Sequence, residues 1–200
     1  MENSTQLYLE TFKTINMNTT FKNLREIARK QYNDSNCSYG DGEYMIHIDM
    51  VSDFLFNHIA VFKTLNDAEN TLNASLFHDS MEDAKQTYNN ICEVAGKDVA
   101  DITLGVTDVP AENRLMKHLL TMGKTVRDYR AIILKMADMY SNAKYSKQSG
   151  NSMYLKYVAE YRYRKPIFEM ALSWYRDDLN KEVLDEIWKE LDEIHTIYLP

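Results

Sequence analysis

His78, Asp79, Glu82 and Asp83 close an apolar approach that reads Ala74-Ser-Leu-Phe-His-Asp-Ser-Met-Glu-Asp-Ala84. Their spacings of i, i+3 and i+4 gather the four side chains on one face if the segment is helical. An imidazole and three carboxylates crowded together repel one another and lose hydration unless a cation or a bound substrate compensates. The chemistry this asks for is metal binding, although His-Asp and Glu-Asp pairs also occur on solvated helix faces.

Two distant residues extend the argument. His47 interrupts an apolar stretch that includes Met45, Ile46, Met50 and Val51, and Asp138 interrupts another that includes Ile132, Ile133, Met136 and Ala137. A buried histidine is commonly a hydrogen-bonded core residue, but a buried aspartate is costly without a cation or a donor. His47, His78, Asp79 and Asp138 together supply two nitrogens and two oxygens. Such mixed ligation with positions left for water suits Mn²⁺ or a similar divalent ion better than a closed zinc site.

The elements that must position these residues read as helices. The spacing predicts an arm or short docked helix over 1–20, a helix over 21–32 and a loop over 33–43. A long helix is expected over 44–64, another over 67–83 carrying the acidic cluster, and a short one over 88–95 capped by Thr87 and closed by Gly96. Further helices are expected over 99–106, 111–122, 129–145 and 153–164, with Pro166 opening the next at its first turn, and a last one over 178–196 within the C-terminal stretch 178–200. No segment alternates with a period of two and no internal repeat occurs, so the expectation is an all-α bundle of roughly eight to ten helices.

Composition agrees with one domain spanning 1–200 and bounds the function. Six glycines and three prolines in 200 residues disfavour a turn-rich β protein. Cys37 and Cys92 form neither a metal knuckle nor a disulfide framework, so a reduced, cytoplasmic setting is expected. The polar, acidic N-terminus is not a secretory signal, and no apolar run reaches membrane-spanning length. A net charge of −7 argues against general nucleic-acid binding, yet a metal and a few local cations can still hold a small anionic substrate. Oligomeric state is open.

The order His, then His-Asp, then Asp on successive helices resembles the HD phosphohydrolase superfamily. The finer resemblance is to its alarmone branch, the hydrolase domains of the RelA/SpoT group and their small stand-alone relatives. Gly42-Glu-Tyr-Met-Ile-His47 is similar to that group's Gly-x-x-Tyr-x-x-His, sharing its Tyr-x-x-His with the glycine one residue nearer, and Ala74 to Ala84 is similar to its Ala-x-Leu-x-His-Asp-x-x-Glu-Asp. Thr87-Tyr-x-x-Ile91, Gly96-x-x-Val99-Ala and Gly105-Val-Thr107 follow at the expected intervals, and Lys135-Met-Ala-Asp138 with Asn142 resembles Lys-Leu-Ala-Asp-x-x-x-Asn. The resemblance covers about residues 21–178.

It implies an HD-domain helical bundle and a metal-dependent 3′-pyrophosphohydrolase of the stringent response, converting (p)ppGpp to GDP or GTP and pyrophosphate through a metal-activated water. His47, His78, Asp79 and Asp138 match the ligands. Glu82 and Asp83 match the pair that positions and deprotonates the water, and either could be the base. Asn142 matches a residue near the nucleoside sugar. Where the group carries His-x-Gly-Gln-x-Arg-Lys, this chain has Ala28-Arg-Lys-Gln-Tyr32, so Arg29 and Lys30 are the cations the resemblance offers for base and phosphate. That departure keeps another nucleotide open, such as (p)ppApp or NADPH losing its 2′-phosphate, as well as a non-catalytic nucleotide-binding module. Arg114 follows the Thr107-Asp-Val-Pro110 turn and either lines the anion side of the pocket or belongs to a basic helix face.

Overall fold

A computed structural model describes residues 19–197. Among them lie nine α-helices, a 3₁₀ turn and one two-stranded hairpin. In chain order these are α1 (Thr19–Asp34), β1 (Ser38–Tyr39), β2 (Gly42–Glu43), α2 (Met45–Asn57), the 3₁₀ turn Ile59–Val61, α3 (Leu65–Ser75), α4 (Tyr88–Ala95), α5 (Lys97–Val106), α6 (Arg114–Thr125), α7 (Tyr129–Gln148), α8 (Met153–Trp174) and α9 (Lys181–His195). The expected arm over 1–20 lies outside the described residues except for its last two positions, which open α1.

Side-chain caps set most of the boundaries. Thr64 accepts from the Asp67 amide, Asn113 from Met116, Asp128 from Arg130 and Asn180 from Glu182, each satisfying a donor that the first turn leaves unpaired. Thr87 and Asn90 form a reciprocal capping box at α4. Gly96 ends α4 at φ 92°, a conformation open to a residue without Cβ.

Helix α7 is the axis of the core. Its Ala131, Ile132, Ile133, Leu134, Met136 and Ala137 are all fully buried, and it packs against α2, α3, α5, α6, α8 and α9. An apolar surface around its whole circumference is what a central helix requires. Asp138 therefore enters the interior, where Lys135 and Asn142 of its own helix and His47 and His78 from other segments surround it.

Several boundaries differ from expectation, among them the helix expected over 111–122, which runs from Arg114 to Thr125 because Asn113 caps its first turn. The helix expected over 44–64 ends at Asn57, because the Phe54 carbonyl is taken by both the amide and the ring Nδ1 of His58 (3.2 and 2.9 Å). Phe62 is then extended and bridges Leu179, with the Asn180 amide on the Val61 carbonyl at 2.8 Å. Residues 33–43 contain a hairpin pairing Ser38 with Glu43 and Tyr39 with Gly42. The helix expected over 67–83 stops at Ser75. Pro166 does not begin a helix but sits inside α8, with its face exposed, where water can take the carbonyl freed by the missing N–H.

Candidate metal centre and active site

The segment after α3 leaves the helical path because its own side chains take the carbonyls a helix would use. Ser75 Oγ donates to Leu72 O (2.7 Å), Ser80 Oγ to Phe77 O (2.7 Å), and His78 Nδ1 lies 2.8 Å from Ser75 O. The backbone tightens accordingly, with Leu76, Phe77 and Ser80 amides each bonding three residues back. Ser52 on α2 reaches Ser75 Oγ at 2.7 Å and fastens these turns to the helix that carries His47. His78 and Asp79 thus ride on consecutive turns rather than on the expected helix face.

His47 from the first turn of α2, His78 and Asp79 from the turns, and Asp138 from the middle of α7 meet in the interior. The two Nε2 atoms are 3.1 Å apart. Asp79 Oδ2 lies 3.2 Å from His47 Nε2 and 3.1 Å from His78 Nε2, and Asp138 Oδ1 lies 3.3 and 3.8 Å from the same atoms. The bond to Ser75 O puts the hydrogen of neutral His78 on Nδ1, so its Nε2 presents a lone pair to the cluster. Electron-rich nitrogens and carboxylate oxygens at these separations require a cation between them. His47, His78 and Asp138 form a group whose ligand atoms lie within 4.8 Å of one another and could hold a metal ion, and Asp79 adds a further oxygen. The donor set fits a divalent ion.

The two carboxylates favour positive charge at this spot, either as protons on the rings or as a metal ion that displaces them. Burial opposes charge on His78, but Asp79 and Asp138 outweigh it and push the ring up to about 10; His47 is raised for the same reason. Burial likewise pushes both carboxyls up, yet the histidines, and Lys135 beside Asp138, hold them below the usual carboxylate range. Lys135 Nζ contacts Asp138 Oδ2 at 2.8 Å.

A polar surround orients the centre. Asn142 Nδ2 donates to Asp138 Oδ1 (2.5 Å), and its Oδ1 accepts from the Tyr39 hydroxyl (3.1 Å). Tyr39 stacks on His47 with centroids 4.8 Å apart and lies 4.4 Å from the Tyr145 ring. The hairpin that carries it can approach so closely because Gly40 is at φ 58°, where an added Cβ would fall 1.9 Å from Tyr145 Oη. The Tyr44 hydroxyl bridges Asp79 Oδ2 (2.8 Å) and Asp83 Oδ2.

Glu82 stands at the edge of the centre. Its Oε1 accepts from the Asp108 amide at 2.8 Å. The side chain touches solvent, but the surrounding protein strips enough hydration to push its carboxyl up to about 7, against the pull of Lys135 and the Asp108 N–H. The turn that offers this amide is clamped: Lys117 pairs with Asp108, Val109 N donates to Thr121 Oγ1 (2.9 Å), and Lys124 Nζ reaches Thr107 O (2.5 Å).

The structure brings seven of the residues singled out in the sequence into this neighbourhood: His47, His78, Asp79, Glu82, Asp83, Asp138 and Asn142. Arg114 stands beside it, donating from Nε to Glu160 Oε1 at 2.5 Å. Arg29 pairs with Glu26 on its own helix and Lys30 is exposed; neither makes a hydrogen bond or ion pair with the cluster. Sequence reasoning gives no role to Tyr39, Tyr44, Lys135 or Asp108, although Tyr44 and Lys135 fall inside the motifs it singles out. Tyr44 and Lys135 each stand three residues before a candidate ligand, a helical spacing that could have flagged them, whereas nothing periodic marks Tyr39. A narrow cleft of about 20 Å³ is lined by Asp138, Asn142, Tyr157, Glu160, Arg164 and His195.

No family model matches the chain. A guanosine-3′,5′-bis(diphosphate) 3′-pyrophosphohydrolase of Spiroplasma citri is 39% identical over 84 residues, covering 37% of this chain and 11% of that protein. The chain therefore spans a small part of its curated relative. A solved structure of a metazoan ortholog of SpoT, described as hydrolysing ppGpp and as playing a role in starvation responses, superposes with a TM-score of 0.64 at 20% identity, covering 88% of this chain and 93% of that one. The chain has the fold of that SpoT ortholog, and both comparisons fall in the alarmone-hydrolase group that its motifs resemble.

Proposed function

We propose that this protein is a metal-dependent (p)ppGpp 3′-pyrophosphohydrolase, a single-domain cytoplasmic enzyme releasing GDP or GTP and pyrophosphate. The observation that carries the proposal is the convergence of two imidazoles and two carboxylates from three separate segments, with a third carboxylate, Glu82, poised beside them. The Spiroplasma citri relative is named for this activity, and the SpoT ortholog is described as hydrolysing ppGpp. His47, His78, Asp79 and Asp138 hold the ion, for which Mn²⁺ suits the mixed donor set. When bound, a divalent ion polarises a phosphoryl oxygen, acidifies water and screens diphosphate charge.

The chain's own residues supply the rest. Water attacks the phosphorus next to the ribose 3′ oxygen and that P–O bond breaks; the two phosphates depart as pyrophosphate, and the 3′ oxygen of the nucleotide takes up the proton that Glu82 has accepted from the water. Glu82 takes the water's proton, since a carboxyl near 7 binds and releases a proton at working pH and the Asp108 N–H keeps Oε1 in place. Asp83, engaged by the Tyr44 hydroxyl, restrains the arrangement. Asn142 contacts the nucleoside near the sugar. No described helix is long and apolar enough to cross a membrane.

A second reading, the same chemistry on another nucleotide such as (p)ppApp or the 2′-phosphate of NADPH, is favoured by one observation. Arg29 and Lys30 do not join the centre, while Tyr39 does. Pyrophosphate release from ppGpp by purified protein with Mn²⁺, against chelated protein, tests the first reading. Release only with metal supports it, whereas metal binding without release in a panel that includes ppApp and NADPH removes both.

A further inference from the structure

We infer that the outward face of α6 is a docking surface for a second copy of this chain, the two helices packing antiparallel about a two-fold axis. The inference concerns assembly and does not rest on the reaction proposed above.

Helix α6 is amphipathic but turned the unusual way round. Its polar side faces the protein: Lys117 pairs with Asp108, His118 Nδ1 lies 2.7 Å from the Tyr163 hydroxyl, Thr121 Oγ1 accepts from Val109 N, and Lys124 reaches Thr107 O. Three of these contacts clamp the turn whose Asp108 amide holds Glu82, so the helix cannot roll its apolar side inward without breaking them. That apolar side is left in water, with Leu115 54%, Met116 48%, Leu119 44% and Leu120 46% exposed. A single exposed leucine is ordinary, but four contiguous large apolar side chains on one helix mark a surface that binds something.

The face itself points to the partner. Residues 115, 116, 119, 120 and 123 span about 140° of the helix surface, and Gly123 sits near the middle of that arc. Glycine is a poor helix former, and Gly123 is exposed with no atom outside its own helix within 4 Å of where a Cβ would stand. Nothing in its own chain requires a residue without a side chain there, whereas a second helix lying close would. With the two-fold axis between Leu119 and Leu120, those leucines meet across the pair and Met116 faces the gap at the second copy's Gly123. Glu112 and Arg127 flank the helix just outside its caps, both exposed, and neither makes an ion pair among the described residues. The antiparallel arrangement brings each Glu112 toward the other copy's Arg127, while a parallel one would set like charges together. A membrane suits the face less well, since the chain carries a net charge of −7 and the lysines of α6 point inward. One short helix face per copy lies at the small end of specific interfaces, so the dimer is weak, with a dissociation constant in the micromolar range.

The test is sedimentation velocity of the full chain from about 1 to 300 µM at low salt, where charge pairing is least screened. The wild type is expected to move from monomer toward dimer over that range. Leu119→Glu, at an exposed position, places a carboxylate from each copy near the axis and should raise the dissociation constant about 100-fold or more. Glu112→Arg alone should raise it about 3- to 10-fold, and Glu112→Arg combined with Arg127→Glu should return it to within about twofold of wild type. Thermal melting checks that each variant folds, and the charge exchange carries the test if Leu119→Glu does not. A wild type that stays monomeric throughout would overturn the inference, as would a dimer indifferent to Leu119→Glu or a double exchange no tighter than Glu112→Arg alone. A monomer that co-sediments with phosphatidylcholine vesicles, and loses this with Leu119→Glu, would overturn it in favour of a lipid surface.

Discussion

Tyr44→Phe isolates one hydroxyl at the heart of the proposed centre. That hydroxyl has a single proton, shared between Asp79 Oδ2 at 2.8 Å and Asp83 Oδ2. Its ring contributes separately, stacking on Tyr32 with centroids 4.7 Å apart, and phenylalanine retains this contact. The perturbation therefore removes one hydrogen bond to charged acceptors, about 1.5–3 kcal/mol. It also leaves two carboxylates facing each other without a bridging proton, so Asp79 loses the partner that aims its Oδ2 at the histidines. Loss of such an orienting partner lowers metal affinity about 10- to 100-fold, which matches the same free energy. The assay is Mn²⁺ titration calorimetry on chelator-treated protein, with pyrophosphate release at saturating and limiting Mn²⁺ and a melting curve as control. We expect weaker Mn²⁺ binding, turnover largely restored by excess Mn²⁺, and an unfolding midpoint close to wild type. Mn²⁺ affinity within twofold of wild type would refute the reasoning, because Tyr44 would then be packing and nothing more.

Other perturbations separate the remaining roles. Asp79→Ala should remove bound Mn²⁺ and turnover together, whereas Glu82→Gln should keep Mn²⁺ and lower kcat about 10²- to 10⁴-fold, the range of a positioned proton acceptor; metal analysis beside kinetics distinguishes them. Gly40→Ala should destabilise the protein by about 1–2 kcal/mol from its left-handed backbone alone, plus displacement of the Tyr145 hydroxyl, and Tyr145→Phe in the same chain should recover part of the loss in a thermal melt. Stability should fall on acidification between about 6.5 and 4, because burial, aided by Arg164 and Arg114, pushes His118 down to about 4. In that window the unfolded chain binds a proton that the folded one refuses, so stability is full above 6.5 and is lost as pH drops, by up to about 3 kcal/mol for this group. Urea midpoints measured across that range, with His118→Gln flattening the slope, provide the check.

The gathering of His47, His78, Asp79 and Asp138 was legible because such residues are expensive alone in apolar surroundings, so four of them within apolar stretches imply a shared partner. The helices of the core were legible for a related reason: apolar residues at helical spacing leave few other ways to hide them. What escaped was set by local competition for hydrogen bonds. Nothing in the apolar pattern shows that Ser75, His78 and Ser80 turn their side chains back onto carbonyls and end α3 early, or that His58 does the same for α2. Pro166 was read as a start, yet an exposed helix face tolerates it in mid-course. Tyr39 was invisible because its place depends on a positive φ at Gly40 and on a contact with Tyr145, more than a hundred residues away in the chain. Arg29 and Lys30 were drawn toward the site by resemblance, while their surroundings in α1 offer Glu26 and water.

The hairpin over Tyr39 and Gly42 has strands of two residues each, too short to hold their shape unaided. Its form is borrowed from α7, through Tyr145 against Gly40 and Asn142 beneath Tyr39. The rim of the proposed metal centre is thus written in a few residues that the helical core does not need. Selectivity and robustness are encoded in separable stretches of this chain, and changes over 38–43 can retune the first while leaving the second nearly untouched.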